Sequence, residues 1–346
     1  MENKPKLSKV AIASLVLGIL SLFFLGTFKF QLSFFTGMLA IIFGVIAKVD
    51  IKKSGGSLKG KGFSIAGIVL SVASVMVLLV LIVDSMFTPN YPRRIQQKAQ
   101  FHEISVGLEI FNSEIGTYPE SNDNSVNMSS DPQDNFDPTP YCGANKLAEA
   151  MAGLDLLGFH PDSRFSSDGM DDSGQAIYIP ETSDIRKGPF IELENANVYS
   201  LKDIFKDVGD FDGNTLVICD VYEKKRHSGK KTGMPILYYR ARTHFLFQDS
   251  ADSNANTDDI YNFQDNINLL ALNSPKNNTI KHPLYDGIND LLDFENIIIN
   301  EQVKKESGYN RPYRADSFIL MSAGKDGLYG TLDDIYNFDK DIDIAK

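Results

Sequence analysis

Only two cysteines occur in 346 residues, too few for a disulfide framework. Cys142 and Cys219 stand 77 positions apart; they form either a single bridge in an oxidising compartment or two unrelated buried thiols. The five histidines, His102, His160, His227, His244 and His282, are scattered, with no H-E-x-x-H or comparable zinc spacing. The G-x-S-x-G elbow, the P-loop and the dinucleotide fingerprint are missing as well. These absences remove the common signatures of hydrolases and nucleotide enzymes, so no enzyme is expected, although a fold can assemble a site from distant residues.

Acidic charge is scarce in the first quarter of the chain and outweighs basic charge in the rest. Residues 1–84 hold nine lysines against Glu2, Asp50 and Asp84, a net of +6, which leaves −17 for the rest of a chain whose total is −11. A segment this acidic is a poor match for nucleic acid, whose phosphates demand a basic surface to displace counterions. It suits cations better. The exception is "EKKRHSGKK" (223–231), which reads as an exposed hairpin tip or as a surface for an anionic partner.

What the first 84 residues do have is apolar length. Three runs, residues 10–28, 32–49 and 63–83, each approach the ~20 residues a helix needs to cross a bilayer, and none carries an interior charge. A signal peptide would be shorter and end in a small-residue cleavage site, so three anchors in the lipid bilayer are expected. Gly18, Gly37, Gly44 and Gly67 offer positions for close helix approach. Lys4, Lys6 and Lys9 precede the first run and five lysines fill "KVDIKKSGGSLKGKG", whereas the hairpin between the first two runs has only Lys29. Tail and loop therefore face the cytoplasm, and three crossings place everything after Val83 outside.

The stretches "AIASLVLGILSLF", "LAIIFGVIAKVDIKKSGGSLKGKG" and "FSIAGIVLSV" resemble the bacterial membrane family called domain of unknown function 4190, over residues 8–83. That resemblance implies a bacterial inner (cytoplasmic) membrane protein and brings no activity. "KGKGFSIAG" also reads as a prepilin processing signature through Lys61, Gly62, Phe63 and Ser64, with cleavage after Gly62; position five is Gly67 where that signature has Glu. The same residues fall out of the membrane family's own glycine-rich loop, and both readings stay open.

Beyond the third run, Pro89 and Pro92 interrupt the helix near the membrane surface. Phe101, Ile104, Leu108, Phe111 and Ile115 then recur at steps of three and four, an apolar stripe on a polar helix that Gly116 and Pro119 stop. A membrane helix running into an amphipathic stem that ends in Tyr118-Pro119 resembles a pseudopilin. "KKTGMPILYYRA", with Gly233, Pro235, Tyr238 and Tyr239, is similar to the G-x-P-Y-x-Y strand entry of the major pseudopilin (protein G) of type II secretion systems.

The expected organisation is a cytoplasmic tail (1–9), a three-helix membrane module (10–84), a stem helix (85–119) and a pilin-like extracytoplasmic head (120–346), of α+β class with a single long helix packed on a small antiparallel sheet. In the head, residues 120–139 read as a polar loop, and "ANKLAEAMAGLDLLGF" as a short helix with Leu147, Met151, Leu154 and Leu157 apolar. "HPDSRFSSDGMDDSGQ" reads as a solvated acidic loop, with Asp168, Asp171 and Asp172 as a metal alternative. Strands are expected in "PFIELENANVYS", "NTLVICDVY", "PILYYRA" and "DSFILMSAG".

"SAGKDGLYGTLDDI" (322–335) has the parts of a calcium loop: carboxylates, a hydroxyl and glycines that let backbone carbonyls turn inward. It lacks the EF-hand alternation. It resembles the S-x-G-x-D-G…D-I loop of the same pseudopilin family, which implies Ca²⁺ held by Asp326 and Asp334, with Asp333 and Ser322 as further ligands and Thr331 nearby. "DDIYNF" occurs at 258–263 and again at 333–338; the first copy offers a second cation site from Asp258, Asp259 and Asp249 or Asp252, or else repeats a strand-edge packing solution. The functional expectation is a membrane-anchored, calcium-stabilised pseudopilin-like structural protein associated with secretion or pilus-like machinery. Its alternative is an extracytoplasmic ligand-binding or sensor head on a membrane anchor.

Overall fold

The computed structural model describes residues 6–26, 30–55, 57–87, 90–123, 139–248, 259–276, 279–285 and 290–339, in two compact units, Met1–Tyr91 and Pro92–Lys346. Lys4, Lys29, Pro89, Asp249, Asp252, Asp258 and most of the polar loop after Glu120 lie outside the described residues.

In the first unit, helices α1 (Lys9–Gly26), α2 (Phe30–Lys53) and α3 (Lys61–Phe87) pack together. A short parallel pair, β1 (Lys6–Leu7) with β2 (Leu58–Lys59), joins the entry to the α2–α3 loop. Each helix turns one small-residue stripe inward with the same three-four-three spacing. The stripes are Ala11, Ser14, Gly18 and Ser21; Gly37, Ala40, Gly44 and Ala47; and Ser64, Gly67, Ser71 and Ser74. Close approach is what selects them: a β-carbon on Gly67 would lie 2.6 Å from the Ser14 backbone. Some hydroxyls bridge helices, Ser14 Oγ donating to the Ala40 carbonyl at 2.8 Å and Ser64 Oγ to that of Gly44 at 2.6 Å, while Ser71 Oγ donates within α3 to the Gly67 carbonyl at 2.7 Å.

Large apolar side chains, among them Val16, Ile19, Phe23, Phe35, Ile42, Val69 and Met76, point outward. Small inside and large outside inverts the pattern of a water-soluble bundle and matches helix packing in lipid. Of the three expected spans, the described residues give one, Phe34–Lys53, long and apolar enough to cross a membrane; the apolar stretches Lys9–Phe24 and Lys61–Val77 are shorter.

The second unit is built on α4 (Asn90–Ile115). Phe101, Ile104, Leu108 and Phe111 are buried along one side of it, as their spacing predicts, with Ile115 packed against the same cluster. They meet a three-stranded antiparallel sheet ordered β7 (Leu237–Arg240), β8 (Phe318–Ser322), β9 (Ile335–Tyr336), in which Leu237 pairs with Met321 and Ser322 with Ile335. Alternation divides the strands between two cores. Ile236, Tyr238, Phe318 and Leu320 face the α4 cluster, whereas Leu237, Tyr239, Ile319 and Met321 face a second cluster containing Phe294 and Ile298. Burial on both faces is why "PILYY" and "FILM" are unbroken apolar runs.

The second cluster corrects the expectation of a single helix on a sheet. Further elements cover the far face: α6 (Leu201–Ile204), α7 (Ile267–Ala271) and α8 (Asp290–Ile298), whereas α9 (Glu301–Ser307) buries no side chain. The expected head helix is α5 (Gly143–Ala152), shorter than its apolar pattern. Gly153 adopts a positive φ of 80° and ends it, so Leu157 emerges 64% exposed. The remaining strands are short: β3 (Val198–Ser200) pairs with β4 (Leu216–Ile218), and β5 (Lys224–Lys225) with β6 (Lys231–Thr232) forms the basic hairpin. Cys142 and Cys219 are free thiols, both wholly buried, which resolves the open pairing.

Tyr118-Pro119 anchors the end of the stem to the sheet. The Tyr118 ring packs 5.2 Å from Phe318, and Tyr238 OH donates to the Pro119 carbonyl at 2.8 Å. Two buried glutamines, each four residues before a residue of the apolar stripe, complete the joint. Gln100 Nε2 donates to the Cys219 carbonyl at 2.9 Å, and Gln97 Oε1 accepts from the Val221 N–H at 3.0 Å.

Candidate functional site

The loop between β8 and β9 is closed at its neck by the Ser322–Ile335 pair, so its whole sequence is displayed at one end of the sheet. Two glycines set its path. Gly324 has φ +61° and a β-carbon there would lie 2.3 Å from the Asp333 carbonyl; at Gly330, with φ +92°, it would meet the Leu284 backbone at 2.5 Å.

This path brings Asp326 and Asp333 together. The Asp326 N–H donates to Asp333 Oδ2 at 2.9 Å, the Leu328 N–H to Asp326 Oδ1 at 2.8 Å, and the Thr331 hydroxyl to Asp333 Oδ1 at 2.6 Å. The two carboxyl groups act on one another directly. Burial and the neighbouring Asp333 charge push Asp326 up. Burial opposes ionisation of Asp333 too, but the Thr331 hydroxyl and the Asp326 N–H hold it below the usual carboxylate range.

Asp334 is more deeply set. It accepts from the Gly330 N–H at 2.7 Å and from Tyr336 OH at 3.4 Å, and burial, with Asp333 and Asp326 beside it, pushes it up to about 8. Ser322 lies at the base of the loop: its hydroxyl donates to Asp220 Oδ2 at 2.8 Å and accepts from the Gly324 N–H at 3.1 Å. Asp220 also accepts from the Tyr222 and Met234 N–H groups, yet burial lifts it to about 6. Lys224 of the basic hairpin donates to the Asp326 carbonyl at 2.8 Å.

Asp220 and Lys224 were not singled out from sequence. The available signal was an acid inside the apolar run "LVICDVY", where a carboxylate needs internal partners. The basic hairpin is partly self-consumed, since Arg226 turns inward to Thr232 and the Gly233 carbonyl while Lys230 reaches Asp203 at 2.7 Å.

Of the other acidic candidates, Asp168 and Asp171 are engaged locally and Asp172 is exposed. Asp168 pairs with Arg164 and accepts from Ser166, and Asp171 caps the Ser173 and Gln175 N–H groups. In the first "DDIYNF" copy, Asp259 is buried and Ile260-Tyr261 forms no strand, whereas Ile335-Tyr336 of the second copy is β9. The repeat is thus one of composition, not of edge-strand structure. Among the described residues no group of three or more His, Cys, Asp or Glu side chains is placed to hold a metal ion. A cation in the β8–β9 loop would therefore use the Asp326–Asp333 pair and complete its shell with backbone carbonyls and water. That donor set fits a hard, oxygen-seeking ion and not a soft one.

Residues 10–81 match the family described as Domain of unknown function (DUF4190). Comparison with curated proteins and with solved structures gives no match. The DUF4190 match ends before α4, so the stem, the sheet and the acidic loop all lie outside it. Within the DUF4190 module, its stripes of Gly, Ala and Ser are the shared packing surface of α1, α2 and α3.

Proposed function

We propose that this protein is a membrane-anchored structural protein of a bacterial inner membrane, with a pseudopilin-like head on the extracytoplasmic side that calcium stabilises at Asp326 and Asp333. The observation that carries the reading is the Asp326–Asp333 pair, two carboxyl groups pressed together in a glycine-shaped loop at the end of a sheet packed on a long stem helix. Such a pair is repulsive when both are charged, and a divalent cation relieves it. Asp334 and Ser322 brace the loop from behind. The inverted pattern of the first unit supports the bilayer as its solvent, with α1, α2 and α3 all crossing and the lysine-rich α2–α3 loop in the cytoplasm. Association with type II secretion or pilus-like machinery follows from the resemblance of stem and loop.

The test is calorimetric titration of Ca²⁺ into the full chain in detergent, with melting followed in parallel. Saturation at a hundredfold above Kd is expected to stabilise the head by about 2.7 kcal/mol, because only the native state binds. Asp326→Ala is expected to abolish that increment; identical melting in calcium and in chelator would overturn the reading. A second reading, a ligand-binding head, is favoured by a cavity of about 320 Å³ at the far end of the stem.

A further inference from the structure

That cavity lies where the chain leaves the stem and passes β7. Glu120, Ser121, Arg240, Arg242, His244 and Asp265 line it. Its scaffold is fixed: the Arg240 N–H donates to Ser121 Oγ at 2.9 Å, the Arg240 guanidinium to Thr117 Oγ1 at 2.7 Å, and Ser121 Oγ donates to Asp265 Oδ2. Asp265 is only 3% exposed. Its second oxygen, Oδ1, has no hydrogen-bond donor among the described residues, and the Arg242 guanidinium stands 4.0 Å from it. A buried carboxylate oxygen without a donor is rare enough to need an explanation.

We propose that this cavity binds a free α-amino acid, whose ammonium group donates to Asp265 Oδ1 and whose carboxylate meets the Arg242 guanidinium. The lining has two acids and two guanidinium groups within one small volume. A simple anion would leave Asp265 without a donor and place negative charge beside Glu120. A simple amine would face Arg240 and Arg242. A zwitterion answers both, and its opposed charges are spaced by a single carbon, as the adjacent Asp265 and Arg242 groups require. The volume lies at the small end of ligand pockets, which suits one amino acid. This inference does not depend on the calcium loop.

The experiment is calorimetric titration of L-alanine, L-glutamate and L-lysine into the full chain in detergent, with propionate and ethylamine as half-ligands. Saturable binding of at least one amino acid is expected, at least tenfold tighter than either half-ligand. Asp265→Asn is expected to weaken it at least tenfold. Thr243→Trp, at an exposed position on the same rim, is expected to block it while leaving the buried network intact. No saturable heat from any amino acid up to about 10 mM, which means affinity weaker than about −3 kcal/mol, would overturn the proposal. So would binding that survives both variants, or propionate binding as tightly as alanine.

Discussion

Asp334 holds its proton to about pH 8, against the usual 3.8, because it is buried with Asp333 and Asp326 beside it. A carboxyl whose folded pKa is raised stabilises the fold fully below its unfolded value, and this contribution is lost as pH rises through the folded one. Without calcium, the melting temperature of the second unit is therefore expected to fall between about pH 4 and pH 8. Asp220, Asp265 and Glu149, all lifted by burial, tilt the profile the same way. The informative quantity is thus the difference between the parent chain and Asp334→Asn, which is expected to have the shallower slope; parallel profiles would show that Asp334 does not titrate as described. Calcium reverses the dependence, since ligation favours the ionised loop. At this scale the sequence singled out Asp326 and Asp334, with Asp333 beside them, through their Gly-rich turn, which is local chemistry. It did not expose the Asp220–Ser322 bond or the Asp265 cavity, because each joins residues about a hundred or more positions apart.

At the level of elements, the stem shows how far periodicity reaches. The steps of three and four from Phe101 to Ile115 predict a helix with one buried side, and Leu108 at its centre is wholly buried among Met151, Tyr238 and Phe318. Leu108→Ala removes three carbons from a packed interior and is expected to cost 2–5 kcal/mol, seen as a lowered denaturant midpoint with an unchanged slope. Substitution at Val106, an exposed position of the same helix, serves as the control and is expected to leave the midpoint within about 0.5 kcal/mol. A comparable loss at Val106 would mean that the stem is stabilised by something other than its sheet contact. Periodicity fails where identical residues meet different neighbours. "DDIYNF" becomes β9 where β8 lies beside it, and an irregular segment leading into a short helical turn where Arg242 and Gln248 supply its backbone partners instead. The far core was illegible for a related reason: helices as short as α7 and α8 carry too few residues to show a period, and they are stable only once the sheet gives them a face to cover.

For the whole molecule, orientation is the property on which the functional reading turns, and the two cysteines make it measurable. Both thiols are wholly buried, and burial lifts both well above their ordinary range, so the folded chain offers almost no reactive sulfur of its own. Single exposed replacements then report topology on a silent background. Ser57→Cys lies in the lysine-rich turn before α3, and Ser173→Cys in the acidic loop of the second unit; both positions are exposed. In spheroplasts, a membrane-impermeant maleimide is expected to label Ser173→Cys at once and Ser57→Cys only after permeabilisation. Labelling of both in intact spheroplasts would remove the cytoplasmic loop, and the reverse pattern would place the second unit in the cytoplasm, where the low free calcium would leave the Asp326–Asp333 pair without an ion. The expected pattern requires that α3 crosses the bilayer, since it is the apolar helix that separates Ser57 from Ser173.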